Sequence, residues 1–99
     1  MDAITVMLSI GKADIDEYDD AFRSDPLLTH TTGRISHVCF EDDDRYVIVD
    51  VWESREAFDA FQEHLDVKRP GRRDPEHRLH PGRFRIHRVH NVIVDTGAR

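Results

Sequence analysis

Apolar residues fall at every second position near the start of the chain. They are Ile4, Val6, Leu8 and Ile10, with Thr5, Met7 and Ser9 between them. Successive side chains of a strand point to opposite faces of a sheet, so this alternation predicts a strand with one covered face over residues 3–10. Gly11 ends it.

A helical period follows this strand. Apolar residues recur three and four positions apart, at Ile15, Tyr18, Ala21 and Phe22. Asp14 and Glu17 have the spacing of a capping box, which predicts that the helix begins there. It should end at Ser24-Asp25-Pro26, because the residue before a proline is disfavoured in the α conformation.

Two apolar segments separated by four acidic residues predict a β-hairpin. The strands would cover residues 34–40 and 45–52, and residues 41–44 would form the loop. With Phe40 and Arg45 as neighbours, this register places His37 opposite Ile48. It likewise places Ile35 opposite Asp50 and Cys39 opposite Tyr46.

The second half of the chain contains a further helix and strand. Ser54 is a good N-cap for a helix whose apolar stripe is Ala57, Phe58, Phe61 and Leu65. Residues 66–82 are rich in charges, Pro and Gly, which predicts a long loop. A last strand is predicted over residues 84–94, and residues 95–99 form a tail.

The predicted order is βαββαβ, which is the ferredoxin-like α+β arrangement. We expect a single domain over residues 1–99, with an antiparallel sheet and two helices on one face. The third strand is apolar on both faces, and residues 92–94 form a continuous apolar run. Since two helices cover only one face, the sheet of a second copy is the natural cover for the other, which predicts a homodimer.

Composition narrows the functional classes. The 99 residues carry a net charge of −6, which argues against a general nucleic-acid binder. The third strand also lacks the glycines of an RNA-recognition motif. No apolar run reaches the length of a membrane span, and the first residues do not resemble a signal peptide. The single Cys39 cannot form an intramolecular disulfide. We therefore expect a cytoplasmic protein with no nucleic-acid or membrane partner.

Positive charge is concentrated late in the chain. Residues 1–66 hold five Lys/Arg against seventeen Asp/Glu, whereas residues 67–99 hold nine against three. One interpretation is a basic loop that attracts an anion, such as a phenolate, a carboxylate or an acyl carrier protein. The other is that this segment lies on acidic surface of its own chain or of a second copy.

His37 and Asp50 are the first candidates for chemistry. In the predicted hairpin they share one face with Tyr46 and Trp52, at diagonal positions on neighbouring strands. A carboxylate there would fix the tautomer of the imidazole and raise its basicity, as a general base requires. The alternative is a structural ion pair with a core histidine.

Two His-x-x-His segments are candidates for a metal-binding site. They are His77 to His80 and His87 to His90. The second lies on a predicted strand, where positions three apart face opposite ways, and no carboxylate or cysteine set completes a site. We expect no metal. His87 and His90 fit a pocket lining better, and haem ligation by one of them stays open.

The segment Val51-Trp52-Glu53-Ser54-Arg55-Glu56-Ala57-Phe58, which ends a strand and opens a helix, resembles the antibiotic biosynthesis monooxygenase family. The resemblance implies a small dimeric α+β barrel. Cofactor-independent members oxidise anthrone-type or hydroquinone-type polyketides with O2 and use a Trp that matches Trp52. They also use an Asn and a Tyr where this chain has Ile48 and Phe58, and an Arg in a later loop.

Other members of the family degrade haem with an Asn on the first strand, a Trp on the second helix and a His beyond it. This chain has Phe61 at the position of that Trp and Gly71 at the position of that His. The first strand has no Asn. The resemblance therefore favours the cofactor-independent members.

These observations predict a cofactor-independent monooxygenase acting on an anthrone or hydroquinone. His37, Asp50 and Trp52 would be catalytic, although a core role also explains Trp52. The substrate-binding residues would be Tyr46, Phe58, Phe61, Arg72, Arg73, His87 and His90. The alternatives are a polyketide cyclase or dehydratase, and a dimer that binds a ligand without catalysis.

Overall fold

A computed structural model describes residues 2–68 and 85–93 of the chain. Its elements are β1 (Ile4–Gly11), a 3-10 turn (Lys12–Asp14), α1 (Ile15–Ser24), α2 (Pro26–Thr29), β2 (Arg34–Asp42), β3 (Arg45–Trp52), α3 (Arg55–Lys68) and β4 (Arg85–Arg88). The strands form one antiparallel sheet in the order β2-β3-β1-β4. The predicted ferredoxin-like α+β fold is confirmed. No helix of the described residues is long and apolar enough to cross a membrane.

The helices cover one face of the sheet, here called the inner face. Its core joins alternate residues of β1 to β3 and α3, namely Ile4, Val6, Leu8, Ile48, Trp52 and Phe58. Val6 and Trp52 have no exposed surface at all. The alternation predicted for β1 is confirmed, since its even-numbered residues are the ones that face the helices.

A second apolar cluster joins the helices to each other. Ala21 of α1, Leu28 of α2 and Leu65 of α3 are its buried members. The sequence pattern did not predict α2, because Pro26 indicated only the end of α1. The Asp25 side chain accepts a hydrogen bond from the Leu27 backbone N–H at 3.1 Å, and Pro26 opens the new helix. A proline suits a first helical turn, where its missing N–H has no partner to lose.

The β2–β3 hairpin corrects the predicted loop and register. Strand β2 continues through Glu41 and Asp42, and Asp42 pairs with Arg45, the first residue of β3, so only Asp43 and Asp44 form the turn. Asp43 adopts a positive φ of 48°, which aspartate tolerates better than most residues. The tighter turn shifts the pairing by two residues and places His37 directly opposite Asp50.

The partners predicted for Cys39 and Ile35 are also wrong. Cys39 pairs with Ile48 rather than Tyr46. An irregularity between Arg34 and Ser36 leaves Ile35 out of the pairing, and its exposed fraction is 42%.

Other element ends differ from the prediction. Asp14 makes no side-chain capping bond, because a 3-10 turn precedes α1. α3 runs to Lys68, beyond the predicted start of the loop at residue 66. β4 ends at Arg88, and Ile93 is 82% exposed. The rest of the predicted loop, Phe84, Val94 and residues 95–99 lie outside the described residues.

A close approach at Gly33 sets the start of β2 against α3. Gly33 has a φ of +88°, and a Cβ there would lie 2.6 Å from the Cβ of Ala57. Its carbonyl accepts a hydrogen bond from the Glu53 N–H at 2.8 Å. Glycine alone fits both constraints, and it brings the next residue, Arg34, opposite Trp52.

The other face of the sheet, here called the outer face, carries apolar residues that none of the helices in residues 2–68 and 85–93 covers. They are Met7, Val38, Phe40, Val47, Val49 and Val51. Val38 is 53% exposed and Phe40 is 44% exposed. Strand β3 is thus apolar on both faces, as the sequence predicted.

Candidate functional site

Three polar side chains form a hydrogen-bonded chain between the inner face and α1. The Oδ1 atom of Asp50 lies 2.5 Å from Nδ1 of His37. The Nε2 atom of the same imidazole lies 2.6 Å from the Tyr18 hydroxyl. Strands β3 and β2 supply the first two groups from directly paired positions, and α1 supplies the third. We call this set the Tyr18–His37–Asp50 chain.

The hydrogen bonds assign the protons along this chain. A carboxylate can only accept, so Nδ1 of His37 carries the hydrogen that faces Asp50. Nε2 of the neutral imidazole is then an acceptor, and the Tyr18 hydroxyl donates to it. The imidazole is held in the tautomer whose free electron pair points away from the carboxylate, which is the arrangement of an oriented general base.

Most of the Tyr18–His37–Asp50 chain is shielded from solvent. The His37 side chain is 17% exposed and that of Asp50 is 9% exposed. Phe22 lies against the imidazole with ring centroids 4.9 Å apart, and Tyr18 contacts Phe22 at 4.5 Å. Two aromatic residues of α1 therefore hold the imidazole in place from the helix side.

Sequence reasoning found His37 and Asp50 but missed Tyr18. Tyr18 was assigned to the apolar stripe of α1, a role it also has, since it packs against the inner-face core. Its hydroxyl was the available signal, because a half-buried tyrosine needs a polar partner. Only the docking of α1 on β2 identifies that partner.

The surroundings change the acidity of two groups at this site. Burial raises the pKa of the Tyr18 phenol well above its ordinary range, and the neighbouring Cys39 raises that pKa further. Burial also raises the pKa of the Cys39 thiol. Both groups therefore stay protonated near neutral pH, and Tyr18 remains a hydrogen-bond donor.

This shift predicts a loss of stability in alkali. Above about pH 10 an unfolded tyrosine releases its proton, whereas folded Tyr18 retains it. The folded state then binds more protons, so the free energy of unfolding falls as the pH rises. Urea unfolding between about pH 9 and pH 11 should show this slope, and Tyr18→Phe should reduce it.

The Cys39 thiol contributes a slope of the same sign, so Cys39→Ser is the matched control. If Tyr18→Phe and the original protein lose stability equally over this range, the prediction for Tyr18 is wrong.

A second set of side chains, here called the indole cluster, lies two residues further along β3. Trp52 contacts the rings of Phe58 and Phe61 at centroid distances of 5.8 and 5.1 Å. The Arg34 guanidinium lies 6.0 Å from the Trp52 ring and donates to the Leu28 carbonyl. Arg34 was absent from the predicted site.

Trp52 fills the core, yet its indole nitrogen is unpaired. The atom is fully buried, and no hydrogen-bond acceptor among the described residues reaches it. A buried N–H without a partner costs about 1–3 kcal/mol, so this is an unusual feature for a residue with a packing role alone.

The remaining predicted site residues lie elsewhere. Tyr46 is near the turn of the hairpin, with Lys12 over its ring at 5.0 Å and its hydroxyl 3.3 Å from Glu41. His87 pairs with Thr5 on the outer face, away from His37. His90 lines an open depression with Asp2, Ile4, Arg88 and Val89. Arg72 and Arg73 lie outside the described residues.

The polar groups of the site do not form a metal centre. Among residues 2–68 and 85–93, no group of three His, Cys, Asp or Glu side chains could hold a metal ion. The site provides an oriented base beside a donor hydroxyl, next to a buried aromatic cluster that the guanidinium groups of Arg34 and Arg55 contact.

Comparison with known proteins identifies the family of the chain. The family model described as antibiotic biosynthesis monooxygenase matches residues 3–71, more than two-thirds of the chain. No curated protein matches the chain significantly. The match extends from the first residue of the inner core through β1, β2, β3 and α3. It indicates a monooxygenase-type or related small-molecule-binding function, and the chain belongs to the antibiotic biosynthesis monooxygenase family.

Proposed function

We propose that the protein is a cofactor-independent monooxygenase whose substrate is an electron-rich aromatic with an acidic hydroxyl or methylene group, such as an anthrone or a hydroquinone. The observation that carries this proposal is the Tyr18–His37–Asp50 chain, in which Asp50 orients the imidazole at 2.5 Å. Membership of the family supports the reaction class.

The chemistry needs a base more than it needs a metal. Removal of a proton from an anthrone gives an anion that can pass an electron to O2. Recombination then forms a peroxide anion on the substrate carbon, and this anion takes the proton back from the His37 imidazolium to give a hydroperoxide. Loss of water leaves a carbonyl, so that one oxygen atom enters the product and the other leaves as water. His37 starts this sequence by accepting the proton, and the Asp50 carboxylate stabilises the imidazolium that results.

The indole cluster provides a hydrogen-bond donor, a positive charge and aromatic surfaces for a planar substrate. The unpaired indole N–H of Trp52 can donate a hydrogen bond to a substrate oxygen once the aromatic residues around it part. The Arg34 guanidinium, close to the same rings, can stabilise the negative charge on that oxygen. Phe58 and Phe61 offer faces and edges for stacking.

Oxygen uptake by the purified protein tests this proposal. A small panel of anthrones and naphthohydroquinones is supplied without any cofactor, and uptake is followed with an oxygen electrode. We expect saturable uptake that falls at least ~100-fold in His37→Gln, because the base is lost. Uptake should fall in Trp52→Phe as well.

The matched control is Gln62→Glu, on the α3 helix and outside both side-chain sets, which should take up oxygen at the original rate. Absence of saturable uptake across the panel would contradict the proposal. So would uptake that survives in His37→Gln.

One observation favours a second candidate function. Trp52 and Phe58 are packed as core residues, while Tyr18, His37 and Asp50 are joined by hydrogen bonds. The same base could catalyse cyclisation or dehydration of a polyketide, which requires proton removal and no oxidant. Product formation without oxygen consumption would favour this cyclase or dehydratase.

We also propose that the outer face is the interface of a homodimer. No element of the described residues covers its six apolar side chains, and the sheet of a second copy would bury them. A stable interface of this kind buries about 800 Å² per partner, a size that a four-stranded sheet face can supply.

A charge at the centre of this face should break the dimer. Val49 pairs with Met7 on one side and Val38 on the other, so Val49→Glu would bury a carboxylate between the two sheets. Sedimentation velocity should then show a monomer instead of a dimer.

Ala60→Glu is the control, because it adds the same charge at an exposed position of α3. A monomeric original protein, or a Val49→Glu variant that remains dimeric, would contradict the homodimer.

A further inference from the structure

The free electron pair of His37 is already occupied. Nδ1 faces Asp50 at 2.5 Å, and Nε2 faces the Tyr18 hydroxyl at 2.6 Å. Both ring nitrogens therefore have partners within the protein. Phe22 lies against the ring at a centroid distance of 4.9 Å. A substrate hydroxyl cannot contact the basic nitrogen unless the Tyr18 hydroxyl moves away.

Beyond Nε2 of His37, the next atom of the Tyr18–His37–Asp50 chain is the Tyr18 oxygen. This oxygen can still accept a hydrogen bond. A phenol oxygen can donate one hydrogen bond and accept others, and here its hydrogen is directed to Nε2. Tyr18 is also partly exposed, and its ring packs against the inner-face core. The Tyr18 oxygen also interacts with the Cys39 thiol, and a substrate hydroxyl that reaches its remaining accepting position would leave the bond to His37 intact.

We infer that Tyr18 is the catalytic residue that touches the substrate, and that it relays the proton to His37. This inference rests on the proposed function for the presence of an acidic substrate hydroxyl. The substrate O–H bond breaks and its proton passes to the Tyr18 oxygen. The original Tyr18 O–H bond breaks in the same event, and that proton binds Nε2 of His37. Tyr18 is neutral before and after, the substrate becomes an anion, and the imidazolium pairs with Asp50.

The raised pKa of Tyr18 is consistent with a proton relay, and not with Tyr18 acting as a base by itself. Burial keeps the pKa of this phenol above its ordinary range, so a free tyrosinate does not form at neutral pH. Tyr18 can therefore accept a proton only while it gives up its own. His37 is within hydrogen-bond distance to take that proton, and Asp50 stabilises the charge that arises.

Binding of 4-nitrophenol tests the relay without any oxidation. Its phenolate absorbs visible light and its neutral form does not, so absorption reports whether the bound probe has lost its proton. Measurements are made at a mildly acidic pH, where most of the free probe is neutral. The original protein should bind the probe as the phenolate. Tyr18→Phe and His37→Gln should bind the neutral form.

The Tyr18→Phe variant keeps the ring that packs on Phe22, so the fold should be preserved. Glu17→Gln, at the exposed neighbouring position of α1, is the control and should ionise the probe as the original protein does. Far-ultraviolet circular dichroism of every variant checks that α1 is intact.

A kinetic measurement adds a readout that a structural role would not change. With a substrate that the original protein oxidises, kcat should fall at least ~100-fold in Tyr18→Phe at neutral pH. The loss should shrink tenfold for each pH unit as the substrate ionises in solution, because an anionic substrate no longer needs the relay.

The outcomes separate this inference from the proposed function. Ionised probe in the Tyr18→Phe variant, or neutral probe on the original protein, would overturn the relay. Absence of oxygen uptake would overturn the monooxygenase and leave the probe result intact. A relay without oxygen uptake would assign the same groups to a proton-transfer reaction such as cyclisation.

Discussion

Replacing Trp52 by alanine is expected to lower the free energy of unfolding by about 3–5 kcal/mol. Trp52 has no exposed surface and contacts Phe58 and Phe61, so the change leaves a large cavity in the inner-face core. Single domains are stable by only about 5–15 kcal/mol, so this loss removes a large share of the total. Urea unfolding followed by circular dichroism measures it, since the chain has one Trp and the variant has none.

Trp52→Phe separates packing from hydrogen bonding at the same position. It keeps an aromatic ring in the core and removes the unpaired indole N–H, whose burial is unfavourable. We expect a loss of only about 1 kcal/mol, because the smaller ring and the removed N–H act in opposite directions. A Trp52→Ala variant as stable as the original protein would contradict the core role.

The order of elements could be predicted because burial imposes a period on the sequence. Strand β1 alternates cleanly since only one of its faces packs against the helices, and α3 shows its stripe at Phe58, Phe61 and Leu65 since only that side packs. Helix α2 was missed because its four residues are too few to display a period. A capped first turn at Asp25-Pro26 was its local signal.

The hairpin register could not be predicted, because acidity and turn geometry are separate properties. Four successive acidic residues indicate exposure, and exposed residues are typical of a loop. Glu41 and Asp42 are indeed exposed, but they lie on a strand at the edge of the sheet. A pairing error of two residues keeps every side chain on its face, so the predicted inner-face grouping of His37 with Asp50 survived the wrong register.

For a related reason, the sequence predicted only two of the three residues in the Tyr18–His37–Asp50 chain. His37 and Asp50 are close along one hairpin, so the alternation of a strand places them on one face. Tyr18 is 19 positions from His37 and reaches it only through the docking of α1. Arg34 depends in the same way on the close approach of Gly33 to α3. Contacts between elements follow from packing, which no local pattern reports.

Replacing Asp50 by asparagine is expected to lower kcat by about 100-fold to 10,000-fold with the overall fold retained. The carboxylate can only accept a hydrogen bond, whereas an amide can also donate one. An amide N–H directed at Nδ1 of His37 favours the opposite tautomer. Nε2 then carries a hydrogen and faces the Tyr18 hydroxyl as a donor, so the chain has no acceptor for the substrate's proton. Initial rates of oxygen uptake measure the effect.

The protein contains a second buried aspartate that faces a histidine, and its substitution is the matched control. Asp25 is 8% exposed against 7% for Asp50, and it also faces a histidine, with its Oδ2 atom 3.4 Å from Nε2 of His64. Asp25→Asn therefore makes the same chemical change at the same burial, in the helical layer rather than on the sheet. Its rate should be unchanged, since His64 belongs to neither set of site residues. If the two variants lost activity equally, the loss would reflect general damage to a buried carboxylate. A full rate in Asp50→Asn would mean that the tautomer of His37 does not limit the reaction. Only a loss confined to Asp50→Asn is consistent with a proton that travels along the Tyr18–His37–Asp50 chain.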